Sequence, residues 1–350
     1  MALRFGIWAE TEGTWHSLRH PEDPFDASWE RNRLQVLEAE HLGYEATLLA
    51  QHTVNPYGDH LDELEPWTAA AALAALTERI ELIVAIKPSL YHPVVLAKMA
   101  LQIEEISRGR VALNLVNAWY KPELEKAGIR FAEHDERYAY GTEWLTATRS
   151  LLAGERTSFH GRYFDIDDYV LRPAPRFRAR PSIYVGGESE PAQELARGLA
   201  DVWFLNGKPV EEVARLTRQA GTRTRSGDPL RFALSAFVIA RPTAREADDE
   251  LAYLNELAEG DAAEVTQLFG NADKKSVMVQ ASAATPHVGT NGGTAAGLVG
   301  SYDDVADRIL RFHEAGIELF MLQFQPFEVE MRRFAHEVRP RVARLTKVAV

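Results

Sequence analysis

Short apolar runs alternate along this chain with longer segments of helical periodicity. That alternation is the pattern of βα units built around a parallel sheet. We predict eight strands in this order: Leu3–Trp8, Ala46–Leu49, Ile80–Ile86, Arg110–Val116, Ser182–Val185, Val202–Leu205, Arg231–Ala240 and Leu319–Phe324. Eight strands in 350 residues favour an α/β fold of the (β/α)8 TIM-barrel type, with residues 1–350 as one domain. A doubly wound sheet is the alternative, but no second composition block is visible.

The segments between these strands predict helices over Asp26–Leu42, Trp67–Leu76, His92–Ile106, Tyr138–Leu152 and Pro191–Leu199. A hairpin is predicted over Tyr163–Leu171, before the fifth strand. One irregular stretch, residues 270–300, lies between strands seven and eight; it is polar and contains NGGT at Asn291–Thr294. Long excursions of this kind are usually active-site lids or disordered segments. We predict that this segment is an insertion over the barrel mouth. Of the two interpretations, we favour a lid spanning residues 260–300 over a disordered segment.

Charge and composition exclude several classes of function. The net charge of −12 argues against a nucleic-acid partner, because phosphate backbones need basic surface. The sequence has no cysteine, which excludes disulfides, thiolate metal sites and a cysteine nucleophile. We see neither a signal peptide nor an apolar run long enough to span a membrane, so we expect a cytoplasmic protein with no membrane partner.

A barrel of this type carries its chemistry at the carboxyl ends of the strands. The residues expected there are Trp8, Glu10, Gln51, His52, Lys87, Asn114, Asn117, Gly186 to Ser189, Asn206, Phe237 and Gln323. The set contains no close pair of carboxylates for acid–base work and no histidine cluster with metal-ligand spacing. We therefore expect no metal, and we expect a cofactor to supply the chemistry.

Two segments suit a phosphorylated cofactor. Arg137 and Tyr138 follow the fourth strand, and a guanidinium can grip a phosphate through two hydrogen bonds. The turn Gly186–Ser189 opens a predicted helix, where glycines allow close approach and free N–H groups attract an anion. The alternatives are a surface ion pair for Arg137 and a plain βα turn capped by Ser189.

Four stretches carry a resemblance to one family: Asn114–Glu123, His134–Tyr138, Gly186–Ser189 and Gly297–Ser301. They resemble the bacterial luciferase-like flavin-dependent monooxygenases, which are (β/α)8 barrels. Within that family the chain is similar to the two-component enzymes that use reduced FMN and oxygen. The first two stretches are similar to those of the pyrimidine and dimethyl sulfone monooxygenases, and a riboflavin-cleaving lyase is a further relative. The resemblance covers essentially the whole chain.

Carried over position by position, the resemblance implies FMN contacts at Gln51, His52, Asn114, Glu123, Arg137, Tyr138, Gly187 and Ser189. Arg137, Tyr138 and Ser189 would hold the phosphate, while Asn114 and Glu123 would face the ring and the ribityl chain. Asn114 and His52 are the predicted catalytic residues, which would position a flavin peroxide by hydrogen bonds.

Two local features stand against a simple transfer of the family pattern. Asn117-Ala118 replaces the Thr-Gly more usual in the motif, beside the place where oxygen must act. Glu188 and Glu190 flank the predicted phosphate turn, where a carboxylate would weaken phosphate binding. We expect both glutamates to point outward.

Departures from the alkanesulfonate monooxygenases indicate an uncharged substrate. Those relatives place a basic residue and a histidine on strand seven, where this chain has Ser235 and Phe237. Their lid arginine corresponds to Asn291 and their strand-eight tyrosine to Gln325. A buried anion without a cationic partner costs several kcal/mol, so a sulfonate substrate is not expected.

Three tryptophans that fall near predicted strand ends and early loops, Trp8, Trp15 and Trp119, would stack on a flat substrate. They favour a heteroaromatic ring, as in pyrimidine or riboflavin catabolism, although core or lid packing would also explain each of them. A small sulfone such as dimethyl sulfone is the alternative substrate.

The resulting hypothesis is a monooxygenase that uses O2 and reduced FMN supplied by a separate flavin reductase. A homo-oligomer is expected. The alternatives are a hydride-transfer enzyme that uses a deazaflavin, and a non-catalytic flavin-binding subunit.

Overall fold

The computed structural model of the protein describes residues 3–277, 279–280 and 288–348. Within that part of the chain, eight parallel strands form a closed barrel, which confirms the predicted fold class. The barrel strands are β1 (Arg4–Trp8), β2 (Ala46–Leu49), β3 (Glu81–Ile86), β4 (Val111–Leu115), β7 (Ser182–Gly186), β8 (Val202–Leu205), β9 (Arg231–Phe237) and β12 (Ile317–Gln323). They follow one another round the barrel in chain order, and β12 closes it by pairing with β1.

The remaining strands are β5 (Thr157–His160) and β6 (Asp165–Tyr169), an antiparallel hairpin, and β10 (Ile239–Arg241) and β11 (Val299–Ser301), a parallel pair. The hairpin confirms the predicted excursion before the fifth barrel strand. The predicted seventh strand, in contrast, is broken after Phe237. The Ile239 N–H donates to Leu298 O at 3.0 Å, so the chain leaves the barrel there and pairs with the returning end of the insertion.

The α-helices are α1 (Trp29–His41), α2 (Pro66–Leu76), α3 (Pro93–Ser107), α4 (Lys121–Glu125), α5 (His134–Leu152), α6 (Glu190–Leu199), α7 (Val210–Ala220), α8 (Ala244–Glu259), α9 (Ala262–Gly270), α10 (Tyr302–Glu314), α11 (Phe327–Arg333) and α12 (Arg339–Val348). Helix α5 begins four residues before the predicted Tyr138, so Arg137 lies within its first turn. Among the helices described, none is long and apolar enough to cross a membrane. Residues 278 and 281–287 of the predicted lid lie outside the described residues.

Buried tryptophans tie the barrel to the loops at its carboxyl end. The Trp67 indole N–H donates to Ala85 O at 3.0 Å, beside the end of β3. The Trp203 indole N–H donates to Gly187 O at 2.8 Å, and Trp203 is fully buried in β8. A buried carbonyl needs such a donor, because water cannot reach it. Trp203 therefore fixes the turn that follows β7.

Replacing Trp203 with phenylalanine is expected to remove this donor from the half-buried carbonyl of Gly187. The lost hydrogen bond costs about 0.5–1.5 kcal/mol, and the smaller ring adds a packing loss. Urea denaturation of the ligand-free protein measures the change. Equal stability of the variant and the wild type would show that the turn does not depend on this bond.

Candidate active site

A cavity of about 790 Å³ lies at the carboxyl ends of the barrel strands. One of its walls comes from the segment between β10 and β11, including Phe269, Asp273 and Thr290. The predicted site residues that line the cavity are Trp8, Trp15, Gln51, His52, Asn114, Trp119, Arg137, Tyr138, Gly187, Ser189 and Asn291. The barrel thus brings together residues that are spread over most of the sequence.

The predicted site residues outside the cavity lining are Glu123, Phe237 and Gln325. Phe237 is fully buried in a separate apolar cluster with Leu254 and Val288. Gln325 Oε1 accepts a hydrogen bond from the Ser17 N–H at 3.2 Å and so holds the loop after β1. Both side chains that were expected to touch substrate therefore have packing and loop-positioning roles in the structure.

The turn after β7 forms one end of the cavity. Ser189 is the N-cap residue of α6, yet its hydroxyl makes no capping bond. Its buried Oγ has no hydrogen-bond partner among the described residues. Gly187 has a φ of 109°, and a Cβ placed there would come within 3.1 Å of the Tyr138 hydroxyl. Glycine therefore keeps open a space bounded by a helix N-terminus and two hydroxyls, a donor set that suits a phosphate.

Arg137 is buried in the wall beside this turn. Its Nη1 donates to Ala132 O at 2.7 Å and its Nε donates to Asn117 O at 3.2 Å. Its Nη2 forms an ion pair with Asp273, which belongs to the insertion. Three bonds, one from each nitrogen, thus hold the guanidinium in one orientation, and Nη1 and Nη2 each keep one further N–H. The alternative of an exposed surface pair is wrong, because Arg137 is buried and Asp273 is largely buried.

Glu188 does not point outward, and that expectation is wrong. It is buried in the cavity wall, where its Oε1 accepts the Asn206 N–H at 2.7 Å and its Oε2 lies 3.1 Å from Lys208 Nζ. Burial raises the pKa of Glu188, and the Lys208 ammonium opposes that rise. Lys208 therefore compensates the charge near the turn. Glu190, in contrast, is exposed as expected.

A buried charged group lies behind His52. The Lys87 ammonium is ion-paired with Glu123 and lies 3.0 Å from His52 Nδ1. Glu123 also accepts the Thr53 N–H at 2.7 Å, so it supports His52 from behind and does not face the cavity as expected. Burial opposes its ionisation, but Lys87 and His52 prevail and lower the pKa of Glu123 to about 2. The Gln51 side chain accepts the Lys87 N–H at 2.6 Å and fixes the backbone there.

Two glutamates near this group escaped the sequence-based search. Glu12 lines the cavity, with its Oε1 3.6 Å from His52 Nε2. Glu63 lies outside the lining, and its buried oxygens have no hydrogen-bond partner among the described residues. The strand-end set thus missed two carboxylates whose charges influence each other near Lys87. Glu12 could have been found from its position just after the end of β1, whereas nothing in the sequence marks Glu63.

The β4 end of the cavity also presents unpaired polar atoms. Trp8 Nε1, Asn114 Oδ1 and Asn117 Nδ2 are buried and lack hydrogen-bond partners among the described residues. The next residue, Ala118, has a φ of 36°, in the left-handed region that favours glycine. The glycine more usual at this place in the family suits that backbone, and alanine keeps the same conformation here.

The fold and the cavity together define a barrel enzyme. One end of the cavity is suited to bind an anion, and its wall carries polar atoms without hydrogen-bond partners among the described residues. The chain belongs to the luciferase-like monooxygenase family, whose sequence profile matches residues 3–319. The predicted class, a flavin-dependent monooxygenase, is thereby confirmed. Within the described residues, no group of three or more histidine and carboxylate side chains is arranged to hold a metal ion.

Three known proteins illustrate the relationship. An FMNH2-dependent dimethylsulfone monooxygenase of Pseudomonas putida is 32% identical over 359 residues, covering 98% of this chain and 96% of that protein. A long-chain alkane monooxygenase superposes with a TM-score of 0.79 at 21% identity, over 100% of this chain and 92% of that one. A riboflavin lyase superposes with a TM-score of 0.75 at 19% identity, over 99% and 92%. The two structural likenesses concern the fold alone.

Proposed function

We propose that the protein is a monooxygenase that uses reduced FMN and O2 to oxidise an uncharged organic substrate, with dimethyl sulfone as the first candidate. The observation that carries the proposal is the charge of the cavity wall. Among the described lining residues, the lysine and the arginine present are Lys87 and Arg137, and both are paired with carboxylates. Lys87 is held by Glu123, and Arg137 lies at the turn that would take the FMN phosphate. An anionic substrate would therefore enter without a cation of its own, which is costly in a buried site.

The residues present fit FMN. Arg137, Tyr138 and Ser189 would hold its phosphate, because they place a guanidinium and two hydroxyls around the open turn at Gly187. Burial raises the pKa of Tyr138, so its hydroxyl remains a donor at neutral pH. When bound, reduced FMN supplies the electrons that activate O2. Its source would be a separate flavin reductase.

The protein side chains orient the reactants and exclude water. The unpaired amides of Asn114 and Asn117 offer hydrogen bonds to groups placed at the end of β4. Lys87 lies 3.0 Å from His52 Nδ1, nearer than Glu123 at 3.3 Å, and an ammonium has only donors. His52 Nε2 lies on the other side of the ring, 3.6 Å from Glu12 Oε1. His52 would act as a positioned donor at the cavity wall.

The identity with the sulfone enzyme over 98% of this chain supports a small sulfone. A flat heteroaromatic ring is the second candidate, because the partly exposed Trp119 and the buried Tyr57 both line the cavity. Trp15 supports it less than the sequence suggested. Its indole is 5.1 Å from that of Trp8 in an edge-to-face contact, and its N–H donates to Trp8 O. That ring is already used in packing.

The test supplies the protein with FMN, NADH, O2 and a purified flavin reductase, and follows the consumption of four compounds. Dimethyl sulfone is expected to disappear, and methanesulfonate, an anion of similar size, is expected to remain. Uracil and riboflavin test the heteroaromatic candidate. Consumption of methanesulfonate at the rate of dimethyl sulfone would contradict an uncharged substrate.

The same assay separates a monooxygenase from the two alternative classes, a deazaflavin-dependent hydride-transfer enzyme and a non-catalytic flavin-binding subunit. Turnover of an alcohol with a reduced deazaflavin and no oxygen would identify a hydride-transfer enzyme. Flavin binding without consumption of any candidate would favour a non-catalytic subunit.

A further inference from the structure

The side chains of Glu12 and His52 line the cavity next to each other. Glu12 is a carboxylic acid that none of the family motifs in this sequence includes. His52 Nε2 lies 3.6 Å from Glu12 Oε1, and both side chains are buried, with 7% of Glu12 and 4% of His52 exposed. The loop after β1 carries Glu12, and its backbone is fixed there because Asn55 Nδ2 donates to Glu12 O at 3.0 Å. The carboxyl group is therefore held at the wall by its own loop and by the imidazole.

The ionisable groups around Glu12 come from several elements. His52 and Lys87 favour its ionised form, whereas burial and the Glu123 carboxylate oppose it. Glu63 and Tyr57 lie near it, and burial first and then the negative charge of Glu12 raise the pKa of both. The balance raises the pKa of Glu12, mainly through burial. Lys87 is already paired with Glu123, and no lysine or arginine among the described residues forms an ion pair with Glu12.

We propose that Glu12 is the proton donor of the oxygenation reaction, with His52 holding its carboxyl group in position. His52 Nε2 lies 3.6 Å from Oε1 of Glu12, and the carboxyl group of Glu12 carries the proton into the cavity. This inference rests on the proposed function. It adds an acid to a site for which the family resemblance names only Asn114 and His52.

The stoichiometry of the reaction requires such a proton. Oxygenation breaks the O–O bond of O2, places one oxygen atom on the substrate and releases the other as water. Two electrons and one proton come from reduced FMN when it binds as its monoanion. The second proton of the water has to be delivered to a cavity that excludes bulk water, and in this proposal Glu12 supplies it and is reprotonated from solvent. General acid catalysis of this kind contributes about 10²–10⁴-fold to rate.

The kinetic test compares Glu12→Gln with Glu63→Gln. Glutamine keeps the shape of each side chain, and Glu63 lies outside the cavity lining, which makes it the matched control. Glu12→Gln is expected to lower kcat about 100-fold or more with the Kd for FMN unchanged. The wild-type rate should fall as pH rises through the pKa of Glu12, because the acid then lacks its proton. That alkaline limb should vanish in Glu12→Gln and persist in Glu63→Gln.

A second measurement does not require turnover. Infrared difference spectra of the ligand-free protein detect the carbonyl stretch of a protonated carboxyl group. The wild type minus Glu12→Gln difference is expected to show that band and to lose it as pH rises through the pKa of Glu12. A missing band, an unchanged rate in Glu12→Gln, or an equal loss in Glu63→Gln would each overturn the assignment. Failure of the wild type to consume any substrate would contradict the proposed function instead, and the infrared result would still decide whether Glu12 holds a proton.

Discussion

Replacement of Glu123 by alanine is expected to lower the free energy of unfolding by about 3–5 kcal/mol. The change leaves the Lys87 ammonium buried, with 2% of the residue exposed, and without its carboxylate partner. It also removes the acceptor of the Thr53 N–H. Breaking one side of a buried ion pair is costly because the other charge stays out of water. Urea denaturation of the ligand-free protein at neutral pH measures the loss.

Glu125→Ala is the matched control, since Glu125 lies on the same short helix and is half exposed beside Lys121. Its effect should stay within about 0.5 kcal/mol. The Glu123 contribution also has a defined pH dependence. Because the folded-state pKa is about 2, below that of an ordinary glutamate, the stabilisation is complete above about pH 4.3 and is lost as pH falls towards 2. Equal stabilities of the two variants at neutral pH would contradict the buried pair.

The second large effect is expected at the ion pair of Arg137 and Asp273, whose two partners should change FMN affinity in opposite directions. Arg137→Ala removes charge-assisted hydrogen bonds to the phosphate worth about 1.5–3 kcal/mol, roughly a 10- to 150-fold loss of affinity. Asp273→Asn removes the carboxylate that holds the same guanidinium in the ligand-free structure. Its amide can still accept the Lys275 N–H at Oδ1, so the local turn is kept. FMN should therefore bind more tightly to Asp273→Asn.

Titration of protein fluorescence with FMN measures both changes, and riboflavin, which lacks the phosphate, serves as the comparison ligand. Riboflavin affinity should respond to neither substitution. Arg130→Ala is the control variant, because Arg130 lies on the loop just before α5, is exposed, and pairs with Glu136. Weaker FMN binding in Asp273→Asn, matching that of Arg137→Ala, would show that the ion pair only builds the wall.

Much of the fold could be predicted from local patterns, because barrel strands are continuous apolar runs bounded by turns. The position at which β9 ends could not be predicted, since the residues after Phe237 remain apolar into β10. Only the backbone bond from Ile239 to Leu298 shows that the chain has changed partners. Helix α5 begins earlier than predicted because its first turn, His134 to Arg137, has polar side chains and no apolar periodicity.

The part of the cavity lining that lies at the strand ends could be predicted from strand ends and motif resemblance, as at Asn114 and Ser189. The pairing of charged side chains in the cavity wall could not be predicted, because the partners are far apart in sequence. Glu188 points inward only because Lys208, twenty residues later, lies against it. Likewise, Glu12 and Glu123 share one buried site although more than a hundred residues separate them.

The loop after β4 and the insertion are joined directly. The Asp273 N–H donates to Trp119 O at 2.8 Å, and Tyr120 forms a β-bridge with Ala272. The same short segment thus contacts Arg137, which we propose to hold the FMN phosphate, and the aromatic wall beside His52. Under that proposal, a change there made to alter substrate preference would alter flavin retention as well. Substrate range and cofactor affinity would then be traits that evolution or design must adjust together.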